Sequence, residues 1–110
     1  MKKQLSPEIK KTLKELKQEL SQVYGKRLKG VYLFGSYARG DFDSDSDVDV
    51  LIVLSDFQKY GEELRRTSEV IGNLSLKYDK TVSIVFTRES EWRMDKLPLL
   101  LNIRAEGIAV

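Results

Sequence analysis

Phe34-Gly35-Ser36-Tyr37-Ala38-Arg39-Gly40-Asp41-Phe42-Asp43-Ser44-Asp45-Ser46-Asp47-Val48-Asp49-Val50 is the stretch on which the reading of this chain turns. It lies between two apolar runs. Upstream, Leu28-Lys29-Gly30-Val31-Tyr32-Leu33-Phe34 is rich in β-branched and aromatic residues and predicts a buried strand that stops at Gly35-Ser36. Downstream, Val48-Asp49-Val50-Leu51-Ile52-Val53-Leu54 predicts a second, more apolar strand at the centre of a sheet. The polar residues from Ser36 to Ser46 suit a loop or one short helix. Two half-sites sit at these junctions. A strand that ends in Gly-Ser exposes backbone N–H groups where a helical turn begins, a geometry that attracts phosphate. Gly35 permits close approach to the backbone, Ser36 adds a hydroxyl and Arg39 a fixed planar cation. Asp47 and Asp49, two apart on the predicted strand, point to one face with α-carbons roughly 6.5–7 Å apart. Carboxylates so placed in a central strand are costly unless paired, and they suit magnesium shared with phosphate oxygens.

Working outward, Ser6-Pro7-Glu8 has the features of a helix start, with a capping hydroxyl, a proline at the first helical position and an acid in the first turn. Ile9, Leu13, Leu16, Leu20 and Val23 recur at spacings of three and four, giving an inward stripe while Lys10, Lys11, Lys14 and Lys17 face water. Tyr24-Gly25 ends that helix. Gln58 to Tyr78 predicts another helix, through Leu64, Ile71, Leu74 and Tyr78, with a weak point at Gly72. Thr81 to Thr87 predicts a third strand. Ser90 is placed to cap a last helical stretch, interrupted at Pro98 and running through Leu99 to Arg104 before Gly107, and Ile108-Ala109-Val110 suits a short edge strand. This order predicts an α+β fold, a small mixed β-sheet with helices packed on it, in a single domain spanning residues 1–110.

Composition narrows the chemistry. The 110 residues include no Cys and no His, which excludes disulfides, thiol nucleophiles, Ser-His-Asp arrangements and the usual zinc and copper sites. Carboxylate, hydroxyl and backbone amide remain. The formal net charge of +2 hides a split. Residues 1–30 carry nine basic and three acidic side chains, residues 31–49 one and five, and residues 50–110 nine of each. All five acids of the middle segment fall within Asp41–Asp49. No apolar run approaches the roughly 20 residues of a membrane span, and Met1-Lys2-Lys3 leads into a charged stretch, so a cytoplasmic protein is expected.

Gly35-Ser36, ten intervening residues and then Asp47-Val48-Asp49 resemble the signature of the DNA polymerase β-like nucleotidyltransferase superfamily. The run Gly35-Ser36-Tyr37-Ala38-Arg39-Gly40 looks like that of its small prokaryotic branch, the minimal nucleotidyltransferases. The resemblance covers most of the chain and implies the polymerase β-like core. It implies that Gly35 and Ser36 hold the triphosphate, that Asp47 and Asp49 hold two Mg²⁺ ions, and that a nucleoside monophosphate, AMP from ATP, moves onto a hydroxyl with release of pyrophosphate. It further implies an antitoxin whose partner is a helical HEPN-domain toxin, modified on a tyrosine. Two other readings stand beside this one: an antitoxin or scaffold that neutralises its partner by binding alone, and an aminoglycoside-type transferase working with a helical subunit. A homodimer and a hetero-oligomer are both open.

Enzymes of the superfamily generally carry a third carboxylate on the following strand, and the resemblance implies Ser83 as the equivalent position here. Asp79 in a shifted alignment, Asp43 or Asp45 from the loop, two carboxylates plus substrate, or nucleotide binding without turnover would each account for its absence. Asp41, Asp43 and Asp45 lack the glycine and the later glutamate of a calcium loop and read as turn formers. Tyr37 either stacks on a base or packs on the sheet. Arg65, Arg66 and the basic first helix read as solvated faces rather than a nucleic-acid surface, and Trp92 as core or interface. Leu97 to Leu101, Ile108 and Val110 read as core before partner surface.

Overall fold

The computed structural model describes residues 4–94 and 96–110. Its first element, α1 (Pro7–Tyr24), starts as the sequence predicts: the Ser6 hydroxyl accepts from the Ile9 N–H at 3.2 Å, Pro7 occupies the first turn and Glu8 follows it. Ile9, Leu13, Leu16 and Leu20 are buried, and Thr12 joins them by donating to the Glu8 carbonyl. Val23, expected on the same stripe, is 37% exposed, because the inward face has turned to Tyr24 by the end of the helix.

A single 3₁₀ turn, Gly25–Arg27, leads into β1 (Leu28–Phe34), then α2 (Ser36–Arg39), β2 (Val48–Leu54), α3 (Tyr60–Tyr78), β3 (Val82–Arg88), α4 (Glu89–Met94), α5 (Pro98–Glu106) and β4 (Ile108–Ala109). The four strands form one mixed sheet in the order β3-β2-β1-β4. β1 runs antiparallel to β2 and β4, whereas β2 and β3 are parallel, joined through α3. The mixed sheet, the central β2 and the edge strand at Ile108 all match the sequence expectation.

Alternation along β2 divides the interior. Val48, Val50, Ile52 and Leu54 point into a large cluster with α1 and α3, among Leu16, Leu20, Leu33, Leu74 and Phe86. Leu51 and Val53 point the other way, into a smaller cluster with Leu100, Ile103, Tyr32, Phe34, Val85 and Trp92. Asp49 shares the parity of Leu51 and Val53, so it belongs to the face covered by α4 and α5.

Several local expectations are corrected. α3 begins at Tyr60 rather than Gln58 and passes through Gly72 without interruption. Leu64 is 41% exposed, and the inward positions of α3 include Glu63 and Thr67 instead. Ser90 lies inside α4, which starts at Glu89. Leu99 and Leu101 are exposed because α5 rests on the sheet through Leu100 and Ile103, and Leu97 and Ile108, which flank α5, are exposed as well. Trp92 fulfils its core reading by packing on Tyr32 with ring centroids 4.9 Å apart. Among the described residues no helix is long and apolar enough to cross a membrane.

Candidate functional site

The site forms where β1 and β2 lie side by side at the end of the sheet from which β2 starts. Phe34, the last residue of β1, is the register partner of Asp49. The chain then turns at Gly35, whose φ of 74° is a conformation that residues with a side chain rarely adopt. A second constraint acts at the same position. A Cβ on Gly35 would collide with Oδ2 of Asp49 and lie 3.2 Å from its Cγ. The carboxylate thus rests directly on the glycine backbone, and only glycine satisfies both demands. Ser36 opens α2, and the one-turn helix closes with Arg39 N–H donating to the Gly35 carbonyl at 3.1 Å and Gly40 N–H to the Ser36 carbonyl at 2.9 Å. The amides of a first helical turn have no intrahelical acceptor, so those after Gly35 are free to meet an anion.

These residues line one open cavity of about 420 Å³ together with α5: Gly35, Ser36, Arg39 and Asp49 on one wall, Leu99, Asn102, Ile103 and Glu106 on the other, and Phe34 between them. Four of the residues singled out by sequence are therefore brought together. Asp47 is not part of that lining. It lies one residue before β2, not within it, and is exposed. Its charge still reaches Asp49. The Asp49 carboxyl is pushed above the usual carboxylate range, first by burial, then by the neighbouring Asp47 charge, with the Arg39 guanidinium opposing. Arg39 also pairs with Asp41 at 3.3 Å, an exposed contact that a ligand anion can replace.

Ser83 is the register partner of Asp49 in β3, half-buried and outside the cavity lining. The acids considered as substitutes do not converge on the site. Asp43 Oδ1 accepts from Asp45 N–H at 2.8 Å and from the Ser46 hydroxyl, holding the loop, as expected of turn formers. Asp79 is the left-handed C-cap of α3, with φ 50°. Among the described residues no group of three metal-ligating side chains forms. Two neighbouring carboxylates at the mouth of a central strand, one of them destabilised by burial and by the other's charge, fit a hard divalent cation. Its remaining ligands would be water and substrate oxygens.

Tyr37 is buried at 3% exposure and stacks on Phe42 with centroids 4.4 Å apart, so it packs and does not offer a ring to a base. Sequence reasoning missed the α5 wall. Its signal was present, since Leu99, Asn102, Ile103 and Glu106 fall at offsets of three, four and seven, one helical face on which two polar residues interrupt an apolar pattern.

Comparisons with known proteins agree with this arrangement. Residues 9–107 match the model of the family described as "Nucleotidyltransferase domain". A protein of Methanocaldococcus jannaschii, assigned by name as protein adenylyltransferase MJ0141, is 39% identical over 83 residues, covering 76% of this chain and 83% of that one. Among solved structures, one assigned as a nucleotidyltransferase from Sulfolobus solfataricus superposes with a TM-score of 0.59 at 22% identity, covering 96% of this chain and 87% of that one. A toxin–antitoxin structure with AMP-PNP gives 0.60 at 22% identity, covering 86% and 68%. The structural likenesses carry the fold, and the family match spans nearly the whole chain, so with Gly35-Ser36 and Asp49 assembled at one cavity this chain belongs to the nucleotidyltransferase domain family.

Proposed function

We propose that this chain transfers AMP from ATP to a hydroxyl, with a tyrosine on a partner HEPN-domain toxin as acceptor, and so acts as an antitoxin. The observation that carries the reading is the contact of the Asp49 carboxylate with the Gly35 backbone, which brings the anion-binding turn and a metal-binding carboxylate to the same cavity. In this reading the turn amides and the Ser36 hydroxyl hold the triphosphate, and Arg39 leaves Asp41 to neutralise a phosphate oxygen. Asp47 and Asp49 would hold two Mg²⁺ ions, which would supply charge neutralisation at the phosphates. The acceptor oxygen forms a bond to the α-phosphorus, the bond to the bridging α–β oxygen breaks, pyrophosphate leaves, and the hydroxyl proton passes to water. Such a displacement depends on positioning and electrostatics rather than covalent catalysis, which suits a chain with neither His nor Cys. The adenylyltransferase name of the M. jannaschii relative and the AMP-PNP of the toxin–antitoxin structure support the choice of nucleotide.

One observation favours a second reading. Ser83 stands beside Asp49, where an acid would complete a triad, and no three-acid group exists among the described residues. An antitoxin that silences its partner by binding alone would need no such acid. Incubating the chain with its toxin, ATP and Mg²⁺ and weighing the toxin by intact-mass spectrometry separates the two. Addition of an adenylyl group that is abolished by chelation is the expected result. An inhibited but unmodified toxin would overturn transfer in favour of binding.

A further inference from the structure

The cavity has a phosphate-directed wall and a second wall supplied by α5, which the motif does not explain. Leu100 and Ile103 anchor α5 in the smaller apolar cluster, so the face carrying Leu99, Asn102 and Glu106 is held rigidly toward the cavity. Glu106 occupies the last turn of α5, where the negative end of the helix disfavours a carboxylate. A carboxylate there does not help the fold, and a ligand that donates hydrogen bonds would account for it. Its position is set by the sheet, because Ile108 pairs with Leu33 and so holds Glu106 near the Gly35 turn. Asn102 and Leu99 follow about 6 Å and 10 Å further along the helix. Along α5 the cavity therefore offers, starting from the anion-binding turn, a carboxylate that accepts hydrogen bonds, an amide that both donates and accepts, and an apolar wall from Leu99.

We propose that this face of α5 is a nucleoside subsite in which Glu106 accepts from ribose hydroxyls and Asn102 reads the Hoogsteen edge of adenine beside Leu99. The order of these groups along the cavity is the order of phosphate, sugar and base in a nucleotide. A carboxylate repels phosphate and suits a vicinal diol. On the Hoogsteen edge an amide matches the adjacent N6 donor and N7 acceptor of adenine, where guanine presents two acceptors, O6 and N7. This inference rests on the reading of the cavity as a triphosphate site and deepens it.

The test is equilibrium binding to the full chain, with Mg²⁺, of non-hydrolysable ATP and GTP analogues, a 2′,3′-dideoxy ATP analogue and inorganic tripolyphosphate. Asn102→Ala is expected to weaken the ATP analogue about tenfold and to erase its advantage over the GTP analogue. Glu106→Ala is expected to erase the advantage of the ribonucleotide over the dideoxy analogue. Both variants should bind tripolyphosphate no more weakly, and melt no lower, than wild type, since both side chains are exposed. Unchanged ATP affinity and unchanged preferences in both variants would overturn the subsite while leaving the triphosphate site standing. Loss of adenylyl transfer with intact nucleotide binding would assign the face to the acceptor instead and also overturn it. A wild-type chain that binds none of these probes would overturn the underlying triphosphate reading.

Discussion

The two faces of the central strand β2 do opposite work. On one, Val48, Val50, Ile52 and Leu54 are each fully buried beneath α1 and α3. On the other, Leu51 and Val53 are buried beneath the shorter α4 and α5, but Asp49 meets a cavity because α5 covers only part of that face. Seven consecutive residues thus serve both stability and site, separated only by the two-residue alternation of a strand. The first face is apolar and closed. The second keeps a carboxylate whose charge burial disfavours, beside a glycine with a positive φ, an arrangement that costs the fold and that a binding site would explain.

Substitutions that exchange these roles give ways to break the comparison. Ile52→Ala, on the closed face, should destabilise the fold by about 2–5 kcal/mol through a cavity that neighbouring side chains cannot fill, as measured by chemical denaturation. In the fraction that remains folded, nucleotide affinity should be unchanged. Gly35→Ala acts on the open face, where strain at positive φ and collision with Asp49 should cost about 1–3 kcal/mol. It should also weaken binding of the Mg²⁺–ATP analogue in folded protein, which Ile52→Ala does not.

A smaller effect tests the polar seam between α1 and α3. Tyr24 donates to the buried Glu63 carboxylate at 2.8 Å, and Arg66 donates to the same oxygen at 3.1 Å. Tyr24→Phe should cost about 1–2 kcal/mol. Burial and the hydrogen bond to Glu63 raise the Tyr24 pKa well above the ordinary tyrosine value of about 10. Above that pH the unfolded chain releases a proton that the folded chain keeps, so wild-type stability should fall as pH rises past about 10. Tyr78, raised mainly by its hydrogen bond to Glu15, adds to the same trend. Denaturation midpoints between pH 8 and 11 should therefore decline less steeply in Tyr24→Phe than in wild type.

The parts legible in the sequence are those fixed by short-range patterns. Strand periodicity gave β1, β2 and the mixed sheet, and the Gly35-Ser36 and Asp47-Val48-Asp49 spacing pointed to a site before any contact was known. Other features depend on which neighbour a residue meets, and local pattern does not encode that. Glu63 has the composition of a surface position, yet it is buried by Tyr24, 39 residues away. Tyr37 has no sequence cue for its stacking on Phe42. The exposed Leu97, Leu99 and Leu101 read as core because an apolar run on a short helix does not reveal which side rests on the sheet. The α5 wall was missed for the same reason, since Asn102 and Glu106 become informative only once Ile103 and the β4 register fix the rotation of the helix.

The division between a closed, stabilising face and an open, functional one is tested most directly at Asp49 itself. Asp49→Asn keeps the shape of the side chain and removes a charge that burial and Asp47 disfavour. Thermal unfolding at neutral pH should then give a melting temperature equal to or above wild type, while intact-mass measurement of the proposed toxin partner shows adenylyl transfer falling by a factor on the order of a thousand. A variant that melts lower than wild type and still transfers AMP at the wild-type rate would contradict the account.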